Sequence, residues 1–245
     1  MDLVLIGLAA FATSILSALA GLGGGLLLLV VIAQFFAPAT AIPIQGGIQL
    51  VSNGSRAFLL RSDIAWSPVG WSSLLLFPAS VLGATVATAM PEDATRLAMG
   101  LFVLLVAWRP QLLKWSGTDK LPERALIGVG AVSGFLNSTV GASGPVTSPF
   151  FKAVTAGHKA FVATAAASQV IAHASKITAF TLDEFSIADH LGVIGIGATG
   201  VVMGSWVGTR MLGRVSEARL NTLFKTVLTL LAFRLIGQSA IGLWL

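Results

Sequence analysis

Gly21-Leu22-Gly23-Gly24-Gly25 and Gly141-Ala142-Ser143-Gly144-Pro145 open two stretches of this chain that match without a gap at a constant offset of 120 residues. The first stretch runs to Asp63 and the second to Asp183. The offset pairs Gly21 with Gly141, Gly24 with Gly144, Gln49 with Gln169, Ser55 with Ser175, Arg56 with Lys176 and Asp63 with Asp183. These are the polar or conformationally special positions of otherwise apolar segments, where two unrelated apolar helices have least reason to agree. The chain reads as two copies of one membrane unit, residues 1–120 (with a basic linker) and 121–245, whose polar cores face each other.

Composition supports a membrane setting. Of 245 residues, 55% are hydrophobic and only 10% charged, and the mean hydropathy is +0.88, so the chain cannot cover itself with a charged exterior. No Asp, Glu, Lys or Arg occurs from Leu3 to Ser55, Ile64 to Pro91, Ala125 to Phe151 or Leu191 to Thr209. Each run reaches or nearly reaches the ~20 residues a helix needs to cross hydrocarbon. The bases, although they raise the pI to 10.3, are scattered through short loops, as orientation in a bilayer demands, and form no nucleic-acid patch. Met1-Asp2 offers no basic start for a cleavable signal peptide. Absence of cysteine excludes disulfides and thiol chemistry.

The first apolar run, Leu3 to Ala37, would span roughly 50 Å as one helix, against about 30 Å of hydrocarbon. It has to break, and the glycines at 21 and 23–25 are where breaking costs least. Pro38 suits the start of a helix to about Arg61. Pro68 to Ala89 reads as one helix, followed by a shorter run from Leu97 to about Leu113. The second half repeats the plan: Ala125 to Ala156 breaks at Gly141–Pro145, and helices follow at Lys159–Thr181, Leu191–Thr209 and Leu220–Leu245.

Two topologies compete. If each broken run crosses once, every half has four crossings. If each is a re-entrant hairpin, every half has three crossings and the second half is inverted. The hairpin arrangement places 11 of the 15 Lys and Arg inside, namely Arg61, Arg109, Lys114, Lys120, Arg124, Lys152, Lys159, Arg210, Arg214, Arg219 and Lys225. Arg96 alone falls outside, with Arg56, Lys176 and Arg234 within helices. That asymmetry favours hairpins with both termini outside. The expected fold is therefore all-α, a polytopic integral membrane protein of two inverted repeats, each a broken helical hairpin plus three transmembrane helices.

The candidate site follows from the same elements. A break at Gly23, Gly24 and Gly25, or at Ser143 and Gly144, aims the amides and dipole of a half-helix at mid-membrane, where they suit an anion; the plainer alternative is close helix packing through small residues. On the next helix Gln45, Gln49, Ser52, Asn53 and Arg56 share one face. Gln169, His173, Ser175 and Lys176 follow in the second copy. Amides bond and cations neutralise, a combination that suits a small oxyanion. Against this, Arg56 and Lys176 can snorkel from near helix ends. His173 is a candidate for a coupling proton, although a buried histidine bonded to a carbonyl is the commoner case. Arg234 has no mate in the first half.

No metal-ligand spacing, nucleophile arrangement or Walker motif occurs, and no cofactor is called for. Asp183, Glu184 and Asp189 read as a solvated loop.

The glycine-rich segments, Ala20-Gly21-Leu22-Gly23-Gly24-Gly25 and Gly134-Phe135-Leu136-Asn137 leading to Gly141-Ala142-Ser143-Gly144-Pro145, resemble those of the TauE/SafE family of sulfite exporter-like or 4-toluene sulfonate uptake permeases. The resemblance extends over nearly the whole chain. It implies a multi-pass carrier of the bacterial inner membrane for small sulfur-containing anions such as sulfite or organosulfonates. The expected partners are a small anionic substrate and the lipid bilayer, with no nucleic acid. A coupling proton or sodium ion, a homo-oligomer and the direction of transport are left open. The competing classes are a passive anion channel and an integral-membrane enzyme. The enzyme would need convergent acids, bases or metal ligands that this chain does not offer.

Overall fold

The computed structural model describes residues 2–20, 24–113, 122–211 and 217–244, and helices are the only regular structure among them. The first apolar run is split into α1 (Asp2–Ala20) and α2 (Gly24–Ile32), with the glycine cluster between them. Helix α3 (Pro38–Leu59) starts at the proline whose fixed φ suits a first turn. The second long run is split likewise into α7 (Leu126–Thr139) and α8 (Gly144–Ala153), followed by α9 (Gly157–Leu182), α10 (Leu191–Arg210) and α11 (Glu217–Trp244). At the second break Gly141 has φ +77°, a backbone conformation that glycine adopts without strain.

Two expected boundaries are corrected. Pro68–Ala89 is not one helix but two, α4 (Trp66–Ser73) and α5 (Leu76–Ala89), bent by 46°. Pro78 causes the bend, because it has no N–H for the carbonyl of Leu74 and its ring crowds that carbonyl. The run expected from Leu97 begins earlier, as α6 (Glu92–Trp108), with Glu92 and Asp93 in its first turn, where carboxylates oppose the helix dipole. It ends at Trp108, and a 3-10 turn covers Pro110–Leu113.

Helices α3 and α9 pack together at the centre; α1 runs along α10, α7 along α4 and α5, and α6 along α11. Glycine permits the closest of these contacts. A Cβ on Gly130 of α7 would stand 1.7 Å from the Ser72 carbonyl oxygen, and one on Gly204 of α10 would stand 2.3 Å from that of Phe11. Backbones meet there, as they do where small residues line helix interfaces in membranes.

These contacts locate the ends of each element. Helices α1 and α10 are parallel, since Gly200 meets Gly7 and Gly204 meets Phe11. Phe36, which follows α2, packs edge-on against His190, just before α10. The chain therefore leaves α2 at the end of the molecule where α1 began. In the second half, Gly130 near the start of α7 meets Ser72 of α4, and Ser67 of α4 bonds Glu123, just before α7. Ala65 N donates to Thr164 near the start of α9, into which α8 leads. That broken run also returns to the end from which it came, here the opposite end.

Bases gather at one of these ends. Lys159 pairs with Asp63 at 3.0 Å, two residues from Arg61, and Lys225 faces Trp108, next to Arg109. The opposite end holds Arg96, paired with Glu92 and bonded to the Ala33 carbonyl and Gln238. Large apolar side chains such as Phe58, Leu59, Trp66, Leu82, Trp206 and Leu230 stand on the exterior, a surface that lipid covers at no cost. Two helical stretches, Ala188–Gly208 and Thr222–Ala240, are long and apolar enough to cross a membrane on their own, and the bent pair α4–α5 makes a third.

Candidate anion-binding core

Polar side chains lie inside this apolar exterior, on the facing surfaces of α3 and α9 and at the starts of α2 and α8. Along α3 the spacing of four residues stacks Gln45, Gln49 and Asn53, all buried. Gln45 Nε2 donates to the Gly25 carbonyl at 3.0 Å, and Asn53 Nδ2 donates to the Gln49 carbonyl at 3.0 Å. Gly25 has no side chain where one would press on this pair: its Cβ would lie 3.1 Å from Gln49 Cδ and 3.2 Å from Gln45 Nε2. The missing side chain lets both amides close on the start of α2.

At the second break the polar side chains beside the start of α8 are Ser143, Ser133 and Gln169. The Ser143 hydroxyl does not cap α8. It pairs with Ser133 Oγ at 2.9 Å, and Gln169 Nε2 reaches it at 3.5 Å. Gln169 is thus turned toward the start of α8, next to Gly144, as Gln49 is turned toward the start of α2. Gly23 lies outside the described residues; Gly24 and Gly25 begin α2.

Lys176 of α9 links α9 to α3 and α7. Its side chain is 0% exposed. Nζ donates to Gln45 Oε1 at 2.7 Å and to Asn137 Oδ1 of α7 at 3.4 Å. Gly46 makes room for it, since a Cβ there would fall 2.8 Å from Lys176 Cε. The ion pairs among the described residues are Arg96–Glu92 and Lys159–Asp63, so this buried lysine faces amide oxygens and no carboxylate. Asn137 Nδ2 beside it and His173 Nδ1 one turn back on α9 are buried without a hydrogen-bond partner, as are Ser138 Oγ elsewhere on α7 and Ser168 Oγ farther back on α9. Buried polar groups are nearly always paired, so the unpaired Asn137 Nδ2 beside a buried ammonium stands out.

Arg56 is not brought into this core. It sits in the last turn of α3 and is exposed. The offset that pairs it with Lys176 predicts chemistry but not depth. His173 is buried one turn before Lys176, while Ser52 is half-buried at the edge. Asn137 and Gly46, which meet Lys176, are not among the residues the sequence pattern singles out. Asn137 is an isolated amide in an apolar run, which is a signal, but its counterpart at the 120-residue offset is Ser17, so repeat matching passes over it. A groove of about 580 Å³ lies elsewhere, between α6 and α11, and is lined mainly by apolar residues including Leu101, Trp108 and Phe233.

No curated protein and no solved structure matches the chain. The family model described as "Sulfite exporter TauE/SafE" matches residues 6–235, nearly the full length, and the chain belongs to that family.

Proposed function

We propose that this protein is a multi-pass secondary carrier of the bacterial inner membrane for small sulfur-containing anions such as sulfite or organosulfonates. It works by alternating access around a mid-membrane site between two inverted repeats, residues 1–120 and 121–245. Family membership supports the transport of sulfur-containing anions across a membrane and speaks against an enzyme. The two broken runs, each returning to its starting end and the two starting from opposite ends, support the inverted repeats.

The observation that carries the site is the buried Lys176 held by neutral amides. A cation taken out of water without a counter-ion is costly, and an arriving anion relieves that cost while its oxygens accept from the unpaired donors nearby. Gln49, Gln169 and the starts of α2 and α8, at Gly24, Gly25, Ser143 and Gly144, complete the hydrogen bonding that the anion loses on leaving water. Gln45 and Asn137 hold the ammonium, with Asn53 steadying Gln49 and His173 adding a donor.

The test is substrate affinity with a parallel melting temperature for purified Gln49→Leu and Gln169→Leu. Leucine is tolerated in a span, so both variants are expected to fold. Each is expected to lose about tenfold or more in affinity for sulfite or sulfonates, the worth of a hydrogen bond to a charged group. Wild-type affinity in both would overturn the site.

A further inference from the structure

The groups that face Lys176 are Gln45 and Gly46 from α3, Asn137 from α7, and His173 one turn back on α9 itself. Among the described residues, acids stand at helix ends and in the loops between helices, and none faces this lysine. Asn137 has its carbonyl oxygen toward the ammonium and its Nδ2 without a partner. An amide whose acceptor end serves a cation has its donor end available to an anion seated beside that cation.

We propose that Lys176, in its ammonium form, contributes one positive charge to the site, with Asn137 as a further anion-binding residue, so that the protein exchanges singly charged oxyanions one for one. This rests on the reading of the same core as the transport site. Loaded with a monoanion, the core is neutral and can pass between its two orientations. Without an anion it carries one positive charge, and with a dianion one negative charge. Either charge opposes reorientation, and the cost of a lysine at mid-membrane corresponds to on the order of a hundredfold in rate. The substrate class is therefore the monoanion, an organosulfonate or the singly protonated form of sulfite.

The experiment uses purified protein in liposomes loaded with radiolabelled methanesulfonate, with the membrane potential clamped by potassium and valinomycin. Efflux is measured into buffer containing methanesulfonate, sulfate or only gluconate, a monoanion whose long polyhydroxy chain makes it much larger than the other two. Sulfate has nearly the shape of methanesulfonate and one more charge. Methanesulfonate outside is expected to accelerate efflux by on the order of a hundredfold over gluconate, and sulfate is expected not to. Asn137→Asp places a carboxylate against Lys176 in the position of a bound anion. It is expected to melt like the wild type and to lose methanesulfonate binding. If it fails to fold, Lys176→Gln carries the test, and its residual efflux is expected to be indifferent to external methanesulfonate.

Equal wild-type efflux into all three buffers, stimulation by sulfate equal to that by methanesulfonate, or undiminished binding by Asn137→Asp would each overturn the proposal. So would wild-type stimulation in Lys176→Gln. Loss of binding in Gln49→Leu and Gln169→Leu with full binding in Asn137→Asp removes this inference alone. Full binding in all three variants, or no flux of either anion, removes the parent reading with it.

Discussion

Lys176 Nζ stands 2.7 Å from Gln45 Oε1, across 131 positions of sequence, and the contact exists because α3 and α9 pack together and Gly46 leaves room for the lysine side chain. Arg56, the residue that the internal repeat pairs with Lys176, is exposed in the last turn of α3. The two cations therefore have unequal parts.

Lys176→Gln is expected to weaken anion binding by about a hundredfold to several thousandfold, since removing one partner of a buried charge interaction costs about 3–5 kcal/mol. Arg56→Gln is expected to change affinity by no more than about fivefold, the range of exposed charges at about 0–1 kcal/mol, and its effect should fade with added salt. Titration of both variants with methanesulfonate at two ionic strengths checks the difference. Equal losses would mean that Arg56 also reaches the anion.

Gly130→Ala is expected to destabilise the protein by about 3 kcal/mol, at the upper end for overpacking. Its Cβ meets the Ser72 carbonyl at 1.7 Å, and neither backbone can swing aside. Gly128→Ala on the same helix meets nothing within 4 Å and is expected to leave stability unchanged or raised. Melting temperatures in detergent separate the two. A Gly130→Ala protein that melts like the wild type would refute backbone contact between α7 and α4.

Sidedness is open to cysteine labelling, because the chain has no cysteine of its own. Gln111→Cys, beside Arg109, and Asp183→Cys are expected to react from opposite faces with an impermeant thiol reagent, Gln111 from the cytoplasm and Asp183 from outside. Both positions lie in connections between helices. Labelling of both from one face would rule out the hairpin topology and with it the inverted repeats.

The hydrogen bond from Lys159 holds the Asp63 carboxyl below the usual carboxylate range; desolvation opposes it, and the Ser62 hydrogen bond and the Lys159 charge add smaller contributions in the same downward direction. A carboxyl depressed on folding stabilises the fold above its unfolded pKa, and that contribution fades as pH falls through the lower folded value. Asp63→Asn is therefore expected to melt slightly below the wild type at neutral pH and to match it in strong acid. High salt should shrink the difference at neutral pH. A difference that grows on acidification would show that the pair is not the cause.

The breaks at Gly21–Gly25 and Gly141–Pro145, the start of α3 at Pro38 and the extents of α9 and α10 were legible because they depend on local properties. An apolar run too long for the bilayer must break, and glycine and proline make some positions cheaper to break than others. The kink between α4 and α5 was equally local, written in Pro78. It was missed because a long apolar run was allowed to outweigh one residue.

The core depended on more than local pattern. Gln45, Gln49, Asn53, Gln169, His173 and Lys176 are visible as polar residues in apolar helices, and the structure buries most of them together. That Lys176 rests on Gln45, that Asn137 joins it from a third helix and that Arg56 is left outside could not be read from the repeat. Those outcomes are set by how α3 and α9 pack and by which glycines let neighbouring segments close, which are relations between segments from tens of residues to more than a hundred residues apart. A repeat specifies which side chains each helix carries; only the crossing of the helices determines which of them lose water together.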